Sequence, residues 1–482
     1  MKLFAPFLII FFFLYANSFC QSISGDSVYI SKALPLLTDS DWQGSIVAIT
    51  AKDLKDNKVL IDVNGNYNLT PASILKIIST GAAINMLHAD YRFKTELGYT
   101  GFIHDSVLVG NIIIKGYGDP TLYSKFFSAY YKKYSPFDSL ALLLKNKDIK
   151  QVRGKIISDA SFFDYNLPTS TWIVGDVANY FGASPCALSI FDDEYSLYFN
   201  TDDTVSLARL VKISPSHVPI EIINRLQGGK VTGDQSIIYG DMFDSTRMVT
   251  GIIPFKSDSF EVRGSLPNPP LVAALTLRNK LKEAGIEITD SVVSRFECDT
   301  AEKFQLLLTH YSPTLDKIIQ VTNLYSINLF AEHIARLCGY ERFKSTTTEM
   351  GVLAINRFWK NYTGDMLLYD ASGLSRFNAV STRQFVSVLE YMYTKSRFKK
   401  EFYNSLPVAG ESGTLLKMFA KTKAKGKLVA KTGTMSNTRS LAGYITTHDK
   451  HVIAFTIIVN NCPLPTNVLR QKTEAIILKL FF

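Results

Sequence analysis

Cysteine is scarce: five residues in 482, none of them in a C-x-x-C pair. That excludes a disulfide scaffold, a zinc ribbon and a thioredoxin-like redox motif. Glycine and proline, 28 and 17, are too few for a collagen-like or low-complexity chain. Charge of one sign does not dominate, with 52 basic against 43 acidic residues and a net of +9. An excess of that size suits an anionic polymer or surface. Without a clustered basic stripe it is no nucleic-acid signal. G-x-S-x-G and H-E-x-x-H are both absent, which removes the ordinary Ser-His-Asp hydrolase and the helical metallopeptidase. Gly116-x-Gly118 lacks the third glycine of a dinucleotide fingerprint and reads as a turn. What is present in quantity is hydrophobic residues at 46%, with 32 Phe and 24 Tyr, enough to exclude disorder and to build a large core.

Only one long apolar run occurs, at the start. Lys2 precedes Leu3 to Ala16, and the small residues Ala16 and Ser18 follow. This is the pattern of a secretory signal peptide over residues 1–20, too short for a comfortable transmembrane helix. Cys20 raises lipoprotein processing as an alternative, but Phe19 stands before it where something small is preferred. The mature chain is expected to be soluble and exported, to the periplasm or cell envelope. Cys186, Cys298, Cys338 and Cys462 then remain, and the sequence does not decide between one disulfide and four isolated thiols.

Three textures follow along the chain. Residues 44–95 read strand, strand, helix: SIVAIT, KVLIDV, the turn NGNYN, then ASILKIISTGAAINML. Residues 96–290 read as β-rich, with SVLVGNIIIKG, GKIISD, DTVSLARLVKISP, DQSIIYG and RMVTGIIPF each bounded by turn residues. Residues 291–482 begin with a helical run, LDKIIQVTNLYSINLFAEHIARLCG. Three strands follow, KLVAKTGT, SLAGYITT and HVIAFTIIVN, the last two joined by a turn at His448, Asp449 and Lys450, and then a closing helix. No internal repeat is visible. The pattern predicts an α/β (α+β) fold in which one domain, 21–92 with 289–482, is split by an inserted β-rich region, 93–288, of one or two domains.

Three motifs carry chemistry. Ser73-Ile74-Leu75-Lys76 is S-x-x-K, and residues three apart share a helix face. An unprotonated lysine there takes the serine proton, and the apolar neighbours Ile74, Leu75, Ile77 and Ile78 favour that form by desolvation. With Thr70 as N-cap and Pro71 at the first helical position, Ser73 falls in the first turn, where its N–H can serve an oxyanion. The chain's other S-x-x-K, Ser396 to Lys399, lies in the solvated run KSRFKK and reads as surface. Ser326-Ile327-Asn328 is the only S-x-N. Its side chains diverge on a regular helix but converge in a tight turn between helices, as a proton shuttle and an amide clamp. Lys431-Thr432-Gly433-Thr434 lies in a strand and holds the only K-T-G. There Gly433 allows close approach to the backbone, Lys431 offers a positive charge to a carboxylate, Thr432 a hydroxyl, and the Thr434 N–H a second oxyanion donor. Each motif alone is ordinary. In this order they make a complete acyl-transfer site.

S-x-x-K with K-T-G is the pairing of penicillin-binding proteins and class A β-lactamases. The chain resembles a class C low-molecular-mass penicillin-binding protein, the D-alanyl-D-alanine carboxypeptidase/endopeptidase family of serine peptidases. Further stretches carry the resemblance. Asp370 to Asn378, DASGLSRFN, is similar to the family's D-G-S-G-L-S-R-x-N with Ala371 in place of glycine. Gly413-Thr414-Leu415, Ser440 to Tyr444 and the G-x-G-D-P-T-L stretch Gly116 to Leu122 also match, as does Asp176 with Phe181 ahead of Gly182-Ala183-Ser184.

The resemblance implies a penicillin-binding-protein/β-lactamase-like transpeptidase domain and the following roles. Ser73 attacks the penultimate D-alanine carbonyl and Lys76 accepts its proton. Ser326 relays protons toward the leaving amine, Asn328 positions the substrate amide, and Lys431 and Thr432 bind the terminal carboxylate. The amides of Ser73 and Thr434 hold the oxyanion, with Gly433 between, and water releases the acyl group. Arg376, Asp176 and Phe181 are expected substrate contacts. The resemblance implies no metal and no organic cofactor. The expected partners are the peptidoglycan stem peptide and β-lactams as inhibitors, with no nucleic acid; the oligomeric state stays open. A class A β-lactamase would add a deacylating glutamate, and no E-x-x-L-N-like segment follows Ser326. A non-catalytic envelope protein that kept the fold is the remaining rival, and the intact motifs oppose it.

Overall fold

The computed structural model describes residues 22–164, 170–241, 244–297 and 304–482. The expected signal segment and Cys298 lie outside the described residues. By compactness the chain forms two units: Met1–Ile78 with Trp359–Leu367 and Asn378–Phe482, and Ser79–Phe358 with Leu368–Phe377.

The frame of the first unit is a six-stranded antiparallel sheet. Its spatial order is Ile23–Gly25, Lys58–Val63, Ile46–Asp53, Val452–Asn460, Thr438–Thr446, Leu428–Met435. Chain from the two ends meets at its centre, where Ile49 stands opposite Ile457. HVIAFTIIVN shows no polar alternation because its strand is buried on both faces, so neither set of side chains meets water. On one face Ile49, Ile61, Phe455 and Ile457 pack with Ala33 and Leu37 of helix Ser27–Leu37 and with Leu469, Ile476, Ile477 and Leu480 of helix Thr466–Phe481. Thr50 points to the opposite face, where its hydroxyl lies 2.7 Å from that of Thr382. Thr382 opens helix Thr382–Thr394, and the entry is a reciprocal cap: Ser381 Oγ accepts from the Gln384 amide and Gln384 Oε1 from the Ser381 amide.

Among the described residues the second unit holds four sheets. A mixed sheet runs Val292–Arg295, Ile156–Asp159, Ile112–Gly116, Lys94–Tyr99, Gln305–Tyr311. A second runs Glu287–Ile288, Gln151–Arg153, Val107–Val109, Phe102–His104. Two three-stranded sheets comprise Arg209–Ser214, Glu194–Asn200 and Phe260–Ser265, and Glu221–Gly229, Thr246–Pro254 and Gln235–Tyr239. Every strand expected between 96 and 290 is present. The chain there is nevertheless less purely β than its texture, because helices Pro136–Asn146 and Pro269–Glu283 bury Phe137, Leu140, Leu144, Val272, Leu277 and Leu281 against Ile112, Ile114 and Ile156. Both start on ordinary signals, a proline in the first turn after the polar caps Ser135 and Asn268. The sheet that begins at Lys94 takes both outer strands from chain past residue 288, so that layer of the structure extends to Tyr311.

Cys186, Cys338 and Cys462 are free thiols. Burial pushes the thiols of Cys186 and Cys338 up to about 12, which makes them inert packing groups. Among the described residues no helix is long and apolar enough to cross a membrane.

Candidate active site

In the first unit the chain enters the S-x-x-K turn under two constraints. The side chain of Asn460, at the end of a central strand, accepts from the Thr70 amide at 2.8 Å and donates to the Thr70 carbonyl at 3.0 Å, standing in for a paired backbone. Ala72 then adopts φ 51°, left-handed backbone that a side chain disfavours. This break corrects the expected helix start. Thr70 is not an N-cap; Ala72–Ile74 form a 3-10 turn, and the α-helix begins behind it at Leu75–Leu87. Ser73 thus sits on the bend ahead of the helix, and the i, i+3 spacing still brings Lys76 Nζ to 3.1 Å from Ser73 Oγ. Lys76 is fully buried, as the apolar flanks led one to expect. The other S-x-x-K behaves as surface: Lys399 is exposed and lies over the Tyr393 ring.

The K-T-G segment lies on Leu428–Met435, an end strand of the six-stranded sheet, with Gly433 opposite Ser440. The closeness expected at Gly433 is real. A Cβ there would stand 2.2 Å from Ser440 Oγ, 2.8 Å from the Pro71 carbonyl oxygen and 3.1 Å from the Ala72 Cβ. Ser440 Oγ itself donates to that Pro71 carbonyl at 2.5 Å. The strand and the bend before the serine are therefore in contact, with no room for any side chain at 433. Lys431 is fully buried, and burial, then the charges of Lys76 and Arg439, hold its amine well below the usual lysine range. Its Nζ donates to the Thr432 carbonyl at 2.8 Å. Thr432 Oγ1 donates to Thr414 Oγ1 at 2.9 Å, which ties in the Gly413–Leu415 turn. Thr434 is exposed, and its hydroxyl accepts from Arg439.

In the second unit the S-x-N lies at a helix junction. Ser326 ends helix Leu315–Tyr325 in left-handed backbone, φ 62° and ψ 40°, and Asn328 opens helix Asn328–Phe343. The apolar run that read as one helix is therefore two helices, broken at Ser326. Asn328 Nδ2 donates to the Phe181 carbonyl at 2.8 Å. Asp176, in the short helix Val174–Val177, belongs to the same stretch of chain. Burial raises its carboxyl, and the charge of Arg376 partly offsets that. Arg376 and Phe377 are exposed at the tip of the DASGLSRFN segment. Ala371, the departure from the family glycine, is not among the left-handed residues, which is why a methyl is accepted there.

Several supporting residues escaped the sequence reading. Asn460 is one, detectable only as a polar residue closing an apolar strand. Glu332 is another, a buried carboxylate on the helix Asn328–Phe343, with the buried Arg336 one turn further on. It accepts from the Ala371 amide at 3.1 Å and the Ser372 amide at 2.8 Å. Burial and the charge of Asp370 push its carboxyl up to about 7. Asp370 accepts from Gly373 and Ser375 amides at 2.9 and 2.6 Å and from Trp172 Nε1 at 2.9 Å. The GYGDPTL stretch is a turn: Gly118 has φ 85° and faces the Phe163 ring, and Asp119 caps the Thr121 amide at 2.8 Å.

A serine paired with a buried lysine, beside an edge strand with a second buried lysine, in a mixed α/β fold of several sheets, defines a serine acyl-transfer hydrolase of the penicillin-binding class. Comparison with known proteins narrows this. The model of the D-Ala-D-Ala carboxypeptidase 3 (S13) family matches residues 32–480, and the chain belongs to that family. It is 27% identical over 451 residues to the D-alanyl-D-alanine carboxypeptidase DacB of Haemophilus influenzae, covering 91% of this chain and 90% of that one. It is 26% identical over 464 residues to the D-alanyl-D-alanine carboxypeptidase of an Actinomadura species, covering 92% and 82%. Its fold is that of penicillin binding protein 4 (dacB) from Haemophilus influenzae, with a TM-score of 0.78 at 23% identity over 94% of this chain and 99% of that one. The protein is a serine D-Ala-D-Ala carboxypeptidase, a peptidase of the hydrolase class.

Proposed function

We propose that Ser73 is the nucleophile of this carboxypeptidase and that it cleaves the terminal D-Ala-D-Ala bond of peptidoglycan stem peptides through an acyl-enzyme. The observation that carries the assignment is the 3.1 Å contact between Ser73 Oγ and Lys76 Nζ on a bend packed against the K-T-G strand. In this reading Lys76 takes the hydroxyl proton as Oγ bonds to the penultimate carbonyl carbon, and the amides of Ser73 and Thr434 receive the oxyanion. The C–N bond then breaks. Ser326 passes a proton to the departing D-alanine amine while Asn328 holds the substrate amide. Water, deprotonated on the same side, attacks the ester and returns the proton to Ser73. Lys431 and Thr432 take the terminal carboxylate. A buried lysine held well below its ordinary range gains most from such a counter-charge, because the carboxylate restores the ammonium form. Arg376, Asp176 and Phe181 line the stem peptide.

The same reading makes β-lactams covalent inhibitors: a relative of this fold from Haemophilus influenzae has been solved complexed with a novel β-lactam. It also places the mature protein outside the cytoplasm, after loss of the signal segment 1–20, with the catalytic chain split between the nucleophile and its partners. Mature protein incubated with a fluorescent penicillin is expected to carry one covalent label that Ser73→Ala abolishes. An unlabelled wild type, or a labelled Ser73→Ala variant, refutes the assignment. Hydrolysis of the penicillin with fast turnover instead of a lasting label points to the β-lactamase alternative.

A further inference from the structure

We propose that Glu332 is a positioning residue for substrate binding, which fixes the Asp370–Phe377 loop and so the place of Arg376. The inference rests on the reading above in which Arg376 and Asp176 meet the substrate. The loop has no regular secondary structure to hold it. Instead, its consecutive backbone amides end on side-chain oxygens. Ala371 and Ser372 donate to Glu332 Oε1 at 3.1 and 2.8 Å, Gly373 and Ser375 to Asp370 at 2.9 and 2.6 Å, and Leu374 to Ser372 Oγ at 3.4 Å. Most of these bonds lie inside the loop and fix its shape. Glu332 comes from outside the loop and fixes its place, with Trp172 on Asp370 and the Ser79 hydroxyl on the Ala371 carbonyl at 2.5 Å.

The helix that carries Glu332 adds the second argument. Glu332 is four residues after Asn328, so both side chains leave the same face one turn apart. Asn328 pins the Phe181 carbonyl at 2.8 Å. One rigid helix face therefore anchors both stretches named as substrate contacts, 176–181 through Asn328 and 370–377 through Glu332. A carboxylate 1% exposed is costly to bury, and a hydrophobic residue would pack there without that cost. The charge of the buried Arg336 one turn on and the amides that Glu332 accepts from account for its presence, and those are the amides of the segment that delivers Arg376.

The test compares Glu332→Leu, Glu332→Gln and Arg376→Ala with wild type in release of D-alanine from a peptide ending in D-Ala-D-Ala. Rates are referred to enzyme titrated with fluorescent penicillin. Glu332→Leu is expected to raise KM at least tenfold with kcat within threefold. Glu332→Gln, whose amide oxygen still accepts both N–H groups, restores KM to within threefold. Arg376→Ala raises KM like Glu332→Leu. If Glu332→Leu yields no titratable enzyme, Glu332→Asp, which withdraws the carboxylate by one methylene, is held to the same KM criterion. An unchanged KM, or a fall in kcat alone, overturns the proposal even where wild type turns over. A wild type that releases no D-alanine overturns the underlying reading and this proposal with it. A KM raised by Glu332→Leu but not by Arg376→Ala overturns the proposal, because Glu332 would then act on binding other than through the place of Arg376.

Discussion

At the scale of single residues, proton counting says more than distance. Within the second unit His333 Nδ1 faces the Gly118 carbonyl at 2.9 Å, so Nδ1 carries the proton and Nε2 is an acceptor. Ser189 Oγ lies 3.2 Å from Nε2 and 2.6 Å from Asp193 Oδ2. One hydroxyl proton cannot serve both. The chain closes if Asp193 is a neutral acid donating to Ser189, which donates to His333. Burial raises the Asp193 carboxyl from 3.8 to about 8, and burial lowers His333 to about 3, both in the sense this chain requires. A raised acid binds its proton more tightly when folded, so its stabilising contribution is whole below about 4 and is lost as pH climbs through about 8. Asp193→Asn keeps a donor on Ser189 and cannot ionise. Its melting temperature relative to wild type should therefore rise steadily between pH 5 and pH 8. A constant difference across that range would show that Asp193 is ionised throughout.

At the scale of elements, the strand Leu428–Met435 and the bend at Pro71–Ser73 are locked together through Gly433. Substitution by alanine puts a methyl 2.2 Å from Ser440 Oγ and 2.8 Å from a backbone oxygen. The serine cannot swing aside without giving up its 2.5 Å bond to Pro71. Overpacking of this kind costs about 1–3 kcal/mol, and here the strain falls on the bend that aims the nucleophile. Gly433→Ala should slow penicillin acylation by roughly 10–100-fold, the same free energy read as a rate. Adding Ser440→Ala should recover only part, since the Pro71 oxygen remains. Acylation at the wild-type rate in Gly433→Ala would show that the strand and the bend move independently. The sequence carried the glycine and the need for close approach, but not the identity of the approaching group, because Pro71 and Gly433 are 362 residues apart. It also carried the three closing strands and their short turn, since local periodicity and turn chemistry set them. The left-handed Ala72 was not legible: nothing in T-P-A-S distinguishes a helix start from a bend that tertiary contacts impose. The break at Ser326 was visible only as a chemical requirement for convergence, because the apolar periodicity runs straight through it. Glu332 and Asp193 read as unremarkable polar residues, since what makes them matter is burial, which a single sequence does not display.

At the scale of the whole chain, the first unit is a closure between distant segments. Ser73 and Lys76 follow the hairpin formed by Ile46–Asp53 and Lys58–Val63, yet that hairpin reaches the strands from the chain end through Val452–Asn460. The remaining chain-end strands, Thr438–Thr446 and Leu428–Met435, complete the sheet and bring Ser440 and Gly433 to the bend. The nucleophile and its base are therefore encoded early, but their environment exists only once the last 55 residues have been added. Contacts of such long sequence separation form late, after loop closure of the intervening chain. A chain ended at Lys427 keeps Ser73, Lys76, Ser326 and Asn328 and loses three of the six strands, along with helix Thr466–Phe481 and its buried face. It should take up no fluorescent penicillin, although the S-x-x-K is intact. Residues 428–482 supplied as a separate polypeptide during refolding should restore labelling in proportion to the complex formed, because the missing interactions are non-covalent sheet and core contacts. Labelling of the truncated chain at the full-length rate would mean that Ser73 is activated by Lys76 alone, and that the long-range sheet matters for stability but not for the geometry of attack.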